Sequence, residues 1–134
     1  MEKKTAYVAS RFAMKENVRE IYSKLEMIGY SVSGDWTSHR SVKPYTENQE
    51  LSAEYAIEDL EAVRRSDVFI LISDAAGTGM HTEFGAAIDH YLEFKKPVIY
   101  VIGKHLDSSM FFFHTSVRRK DTTDEVIEEL KTEA

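Results

Sequence analysis

Apolar positions change period several times along the chain, and each change marks an element. Thr5 to Ala9 is a brief apolar run that predicts a first strand. From Lys15 to Ile28, Val18, Ile21, Tyr22, Leu25 and Ile28 recur every three or four residues. Lys15, Glu16, Arg19, Glu20 and Lys24 fill the other side, so this is a helix packed on one face. Gly29 sits where a helix C-terminal glycine belongs, and Tyr30 to Ser33 alternates like a short second strand. Gly34 to Thr46 is polar with Trp36, His39, Pro44 and Tyr45 embedded, which marks an ordered functional loop and a candidate lid. A second helix is expected from about Glu47 to Arg65, with Ala53, Ala56, Leu60 and Val63 as its buried stripe; Asp59 lies beside that stripe.

The run Asp67 to Ile72 is almost wholly apolar, as a strand covered on both faces should be. A glycine-bearing turn, Ser73 to Gly79, leads into a helix from about Met80 to Phe94, with Met80, Phe84, Ala87, Ile88, Tyr91 and Leu92 facing inward; Lys95-Lys96-Pro97 stops it. Val98 to Ile102 is another continuous apolar strand. After a polar connection and the aromatic run Met110 to Phe113, His114 to Arg119 is a candidate last strand. Thr122 and Glu125 have the spacing of a capping box and open a terminal helix through Leu130. Strands alternating with helices predict one α/β domain over residues 1–134: a three-layer, doubly wound sheet of about five mainly parallel strands, flavodoxin/Rossmann-like. A ligand would then sit outside the carboxyl ends of the strands, near Ala9–Phe12, Gly34–Tyr45, Ser73–Glu83 and Gly103–Phe113.

Composition narrows the classes. With 134 residues the chain can bury an ordinary core, and the absence of Cys excludes a disulfide scaffold, a thiolate nucleophile and Cys-based metal sites. Seventeen basic against 23 acidic side chains give a net charge of −6, with no basic patch or stripe, so nucleic acid is not an expected partner. No signal-peptide core and no membrane-length apolar run is present; the expectation is a cytoplasmic protein without a membrane partner.

Gly77-Thr-Gly79 invites comparison with the dinucleotide fingerprint, but Thr82 stands at the third glycine position and the loop follows the third strand. No phosphate-loop Gly-Lys-Ser/Thr occurs, and the five histidines show no zincin spacing, so neither a nucleotide cofactor nor a metal is expected. Glu83 is more informative. Near the start of its helix, the unpaired amides and the macrodipole should hold it ionised and aimed into the cleft, though a carboxylate there also serves as ordinary capping. Gly77 and Gly79 would let the backbone approach a bound sugar, and Gly85 leaves space beside Glu83. Tyr7 reads as core with a hydroxyl in need of a partner, and Trp36 and His39 as packing or as a cover over a flat ligand. Phe111 to Phe113 reads as core or subunit interface.

The string Tyr7-Val-Ala-Ser-Arg-Phe12, the pair Asp59-Leu60 upstream of Ser66 to Ile72, and above all Gly77-Thr-Gly-Met-His-Thr-Glu-Phe-Gly-Ala-Ala87 resemble the nucleoside 2-deoxyribosyltransferase family, whose relatives include the 2′-deoxynucleoside 5′-phosphate N-hydrolases. Asp35-Trp36-Thr37 and Val117-Arg118-Arg119 extend the likeness over nearly the whole chain. The resemblance implies retaining glycosyl transfer without a cofactor: Glu83 attacks the anomeric carbon of a 2′-deoxynucleoside or its 5′-monophosphate, Asp59 binds or protonates the leaving base, and Tyr7 orients Glu83. Water or a second base then takes the sugar, with hydrolysis slightly preferred. Ser10, Arg11 and Ser108 match segments that hold a 5′-phosphate in the hydrolase relatives, Ser108 from the neighbouring subunit; the accompanying glycine-rich stretch is replaced by Phe12-Ala-Met-Lys15. A homodimer or larger homo-oligomer is implied as well. The alternatives from other classes are a nucleotide-sensing module that has lost turnover and a flavodoxin-like interaction domain.

Overall fold

The computed structural model describes residues 3–133. Among these, five strands, β1 (Thr5–Ala9), β2 (Ser31–Val32), β3 (Val68–Ile72), β4 (Val98–Ile102) and β5 (Val117–Lys120), form one sheet in the order β2-β1-β3-β4-β5, every pairing parallel. Four α-helices, α1 (Lys15–Met27), α2 (Gln49–Arg65), α3 (Gly79–Phe94) and α4 (Thr123–Glu133), cover it. α1 packs with α4 on one face and α2 with α3 on the other, giving the three-layer doubly wound architecture that the alternation of periods predicts. The strand order reverses between β1 and β3, where Ala9 pairs with Leu71, so the loops leaving these strands part at a switch point.

The central strands are buried on both faces because they carry side chains that are apolar at every position. Tyr7, Phe69, Ile70, Leu71, Ile99, Tyr100 and Val101 have no exposed surface. Tyr7 and Phe69 stack with their planes 6° apart, and Phe84 of α3 closes over Phe69. Close approach of α2 to the start of the loop after β2 depends on Gly34: a Cβ there would stand 2.6 Å from the Ala62 Cβ and 3.7 Å from the Tyr7 ring.

Several expected boundaries shift. The second strand shrinks to Ser31–Val32, since at the sheet edge it has one partner, β1. α2 begins at Gln49 because Tyr45–Glu47 forms a separate 3-10 turn, held by the Asn48 side-chain amide on the carbonyls of Val42 and Pro44. β5 begins at Val117, after a turn in which the Ser116 amide donates to His114 Nδ1 at 3.1 Å. In α4, the expected cap forms through the Glu125 amide on Thr122 Oγ1 at 3.3 Å.

The buried stripe expected on α2 is only half realised. Ala62 and Val63 are buried, Leu60 is partly covered, and Ala53 and Ala56 are exposed. A 17-residue helix is about 25 Å long, whereas a five-residue strand spans about 17 Å, so the N-terminal half of α2 overhangs the carboxyl edge of the sheet. On α3, Met80, Phe84 and Ala87 are buried, while Leu92, expected inside, is exposed.

The aromatic run Met110–Phe113 is a 3-10 turn that divides its side chains. Phe112 is wholly buried, edge-on to Phe84 with ring centres 5.4 Å apart, whereas Met110, Phe111 and Phe113 are exposed. Phe112→Ala is therefore expected to cost about 3–5 kcal/mol through transfer and cavity terms, and Phe111→Ala under about 0.5 kcal/mol. Urea unfolding of the two variants checks this; equal losses would contradict the division.

Candidate active site

β1 and α3 meet at one hydrogen bond: the Tyr7 hydroxyl donates to Glu83 Oε2, and the contact is short. Tyr7 reaches it from the middle of β1, and Glu83 from the fifth residue of α3, just beyond the first turn. Asp59 joins from α2. It stands three residues before Ala62, on the helix face that Gly34 allows against the Tyr7 ring, and its charge acts on both Tyr7 and Glu83. The structure thus brings Tyr7, Asp59 and Glu83 together from three elements far apart in sequence.

The expected electrostatics of Glu83 are corrected. Its place near the helix N-terminus predicts an ionised group, but burial outweighs that effect and pushes the carboxyl up to about 8; the Tyr7 hydrogen bond opposes the rise and the Asp59 charge adds to it. The macrodipole acts mainly within the first turn, and Glu83 lies past it. Desolvation also raises Asp59, to about 6, against the opposing effect of His39 and with a further push from Glu58. Tyr7 is driven upward by burial and by the two carboxylates, so it remains a hydrogen-bond donor.

The loop after β2 builds one wall. Its Trp36–Ser38 turn is capped by Asp35, which accepts the Thr37 amide at 3.0 Å, and Arg19 of α1 holds the Thr37 carbonyl at 3.1 Å. Trp36, which the sequence leaves open between packing and covering a flat ligand, is 7% exposed and donates its indole N–H to the Val8 carbonyl at 2.6 Å. It packs the loop onto β1, and that donor is unavailable to a ligand. His39 stacks on Tyr55 of α2, ring centres 3.7 Å apart, with its nitrogens 4.0 Å from Asp59 and 3.4 Å from Glu58. Tyr22 of α1 is a further group near the carboxylates: its buried hydroxyl has no hydrogen-bond partner among the described residues, and its pKa is raised by burial and then by Asp35, Glu83 and Asp59. In the sequence Tyr22 cannot be told from the other core positions of its helix.

The remaining expected residues divide. Ser10 and Arg11 follow β1 at the carboxyl edge; the Ser10 hydroxyl donates to the Arg11 carbonyl at 2.8 Å, and Arg11 pairs with Asp74 at 3.5 Å. Gly77 takes φ of +108°, and a Cβ on it would press on Met80 and the Arg11 stem, so glycine is required there. Gly79 opens α3 onto free space. Ser108 is exposed on the loop after β4, its hydroxyl turned to the His105 carbonyl. Two open concavities of about 500 and 530 Å³ lie elsewhere, one around Lys104, Asp107 and Arg119 and one at the start of α2, and neither includes the carboxyl pair. Among the described residues no group of three or more ligating side chains could hold a metal ion, and no helix is long and apolar enough to cross a membrane.

No protein-family model matches the chain, and no curated protein matches it in sequence. Among solved structures, it is similar to the CMP N-glycosidase BcmB of Clostridium botulinum, with a TM-score of 0.62 over 96% of this chain and 99% of that one, at 17% identity. That likeness shows the fold, an all-parallel α/β three-layer domain.

A carboxyl at about 8 in the folded chain, against an ordinary 4.5, holds its proton more tightly when folded. Its contribution to stability is complete below about pH 4.5 and is lost as pH rises through about 8. Glu83→Gln is therefore expected to melt with the parent at pH 4.5 and at least ~4 °C above it at pH 9, about 1 kcal/mol for a domain of this size. Melting curves at the two pH values check this; a difference independent of pH would mean that Glu83 is solvated.

Proposed function

We propose that the chain is an N-glycosidic-bond enzyme acting on 2′-deoxynucleosides or their 5′-monophosphates, with Glu83 as nucleophile. The observation that carries this reading is the buried Tyr7–Glu83 hydrogen bond with Asp59 beside it, at the carboxyl edge where ligands of such sheets bind. The shared fold with a nucleotide N-glycosidase supports it further.

Each residue has a defined part. Tyr7 donates to one Glu83 oxygen and so turns the other toward C1′. That oxygen forms the bond to C1′ as the C1′–N bond breaks; the base leaves with the electron pair and takes a proton from Asp59. Water, giving its proton to the Asp59 carboxylate, then attacks C1′ and frees Glu83. Hydrolysis is the main proposed outcome, and a second base in place of water gives exchange. A carboxyl that burial moves to about 6 can supply a proton near neutrality, which an exposed aspartate cannot do well. No step calls on a cofactor. The reading includes a homodimer, for which exposed Met110, Phe111 and Phe113 offer an apolar surface.

Chromatography of free base after incubation with deoxynucleosides and their monophosphates, with and without an acceptor base, tests the proposal. The parent is expected to release base, Glu83→Gln to fall to background, and Asp59→Asn to lose roughly 10²–10⁴-fold. Binding without release by the parent would leave the sensing alternative.

The working form needs Glu83 ionised and Asp59 protonated, so kcat/KM is expected to rise up to about pH 6 and fall above about pH 8. In Asp59→Asn the alkaline limb should disappear, and the remaining rise should level off below 8 because the neighbouring charge has gone. A flat profile in the parent would contradict the assignment.

A further inference from the structure

α1 buries Val18, Ile21, Tyr22 and Leu25, and of these only the tyrosine carries a polar side-chain atom. Tyr22 is 6% exposed, and its buried hydroxyl meets no hydrogen-bond partner among the described residues. Buried tyrosines ordinarily find one. A phenylalanine would fill the same space at less cost, because a hydroxyl that is buried unpaired gives up its hydration for nothing. The hydroxyl also lies beside the candidate site. Arg19, three residues earlier on the same helix face, donates to the Thr37 hydroxyl at 3.2 Å and to the Thr37 carbonyl at 3.1 Å, which sets Tyr22 against the turn that follows Asp35. Burial, and after it the charges of Asp35, Glu83 and Asp59, push the phenol upward, so it keeps its proton and remains a donor. Other donors of this wall are taken within the protein: the Tyr7 hydroxyl by Glu83, the Trp36 indole by Val8, and the Thr37 amide and hydroxyl by Asp35. Tyr22 is thus a free donor among carboxylates. An atom settling there has to accept from the phenol and donate to an acid oxygen; a hydroxyl does both, whereas a phosphate or carbonyl oxygen only accepts.

We propose that Tyr22 is a further binding residue of this site, its hydroxyl donating to the oxygen of a hydroxyl group that enters it, either one on the substrate's sugar or the water that takes the sugar from Glu83. The inference rests on the glycosidic reading of Glu83. With the sugar, the contact fixes the ring before the C1′–N bond breaks. With water, the new C1′–O bond forms as the ester bond to Glu83 breaks, the electron pair returns to Glu83 and the water proton passes to Asp59. Tyr22 orients the oxygen in both cases and keeps its own proton. The hydroxyl is then held for the ligand, and the fold has no use for it.

Tyr22→Phe tests this, because it keeps the ring and removes only the hydroxyl. In thermal melting the variant is expected to match or exceed the parent; a lower melting temperature would mean that the fold itself uses the hydroxyl, and overturns the proposal. Turnover of a deoxynucleoside in the presence of an acceptor base, followed by chromatography, then separates the two sources. A rise of about tenfold or more in the ratio of exchange to hydrolysis assigns the contact to water, and a rise of about tenfold or more in KM with that ratio unchanged assigns it to the sugar. A variant in which neither quantity moves, whatever its kcat, overturns the proposal. If the parent releases no base, the glycosidic reading fails by itself, and calorimetric titration with the same deoxynucleoside decides the role of Tyr22. Binding weakened about tenfold or more in the variant supports the contact with the sugar, and binding no weaker than that of the parent overturns it.

Discussion

A carboxyl group taken out of water at the end of a parallel sheet, with a tyrosine hydroxyl as its partner, is the constraint on which the arrangement turns. Desolvation alone makes Glu83 a poor anion; the Tyr7 hydrogen bond recovers part of what hydration would have given, and Asp59 removes some of it again. The result is a group poised near neutral pH, in a setting where a small change of surroundings decides whether it carries charge. Such a group weakens the fold at alkaline pH, a pattern seen where stability is yielded to chemistry.

The rest of the domain serves to hold that pair. β1 is enclosed between β2 and β3, which fixes Tyr7, and Phe69 and Phe84 link the tyrosine ring to the helix that carries Glu83. Gly34 admits α2 close enough to bring Asp59 near. Trp36 and Arg19 tie the following loop to β1 and α1, so the wall beside the carboxylates is anchored at its start by one buried and one part-buried hydrogen bond. Loss of any of these contacts would act on the site through position, without touching a ligand.

The layered sheet could be read from the sequence because apolar runs such as Val68–Ile72 and Val98–Ile102 allow few other interpretations. Helix faces were readable only where the sheet covers them: α1 buries its expected stripe, whereas α2 overhangs and exposes Ala53 and Ala56. Periodicity reports which face is apolar and is blind to where the neighbouring layer ends. At the site, Glu83 and Tyr7 could be singled out by position and resemblance, but the sign of the shift at Glu83 could not, because burial is a property of the assembled layers. Trp36 could be read from the sequence either as packing or as a cover over a ligand, and only the structure shows its indole N–H taken by the backbone of β1. Asp74 carries no pattern of its own; only the register of β1 with β3 sets it against Arg11.

The central claim is that an oxygen of Glu83 becomes bonded to a sugar carbon. Acid quenching during turnover of a deoxynucleoside, with a 2′-fluoro analogue to slow breakdown of the ester, followed by peptide mass spectrometry, reads that bond directly. The account predicts one added anhydro-sugar on the peptide containing Glu83, absent from Glu83→Gln. Release of base with no adduct on that peptide, or with an adduct on another residue, would contradict it.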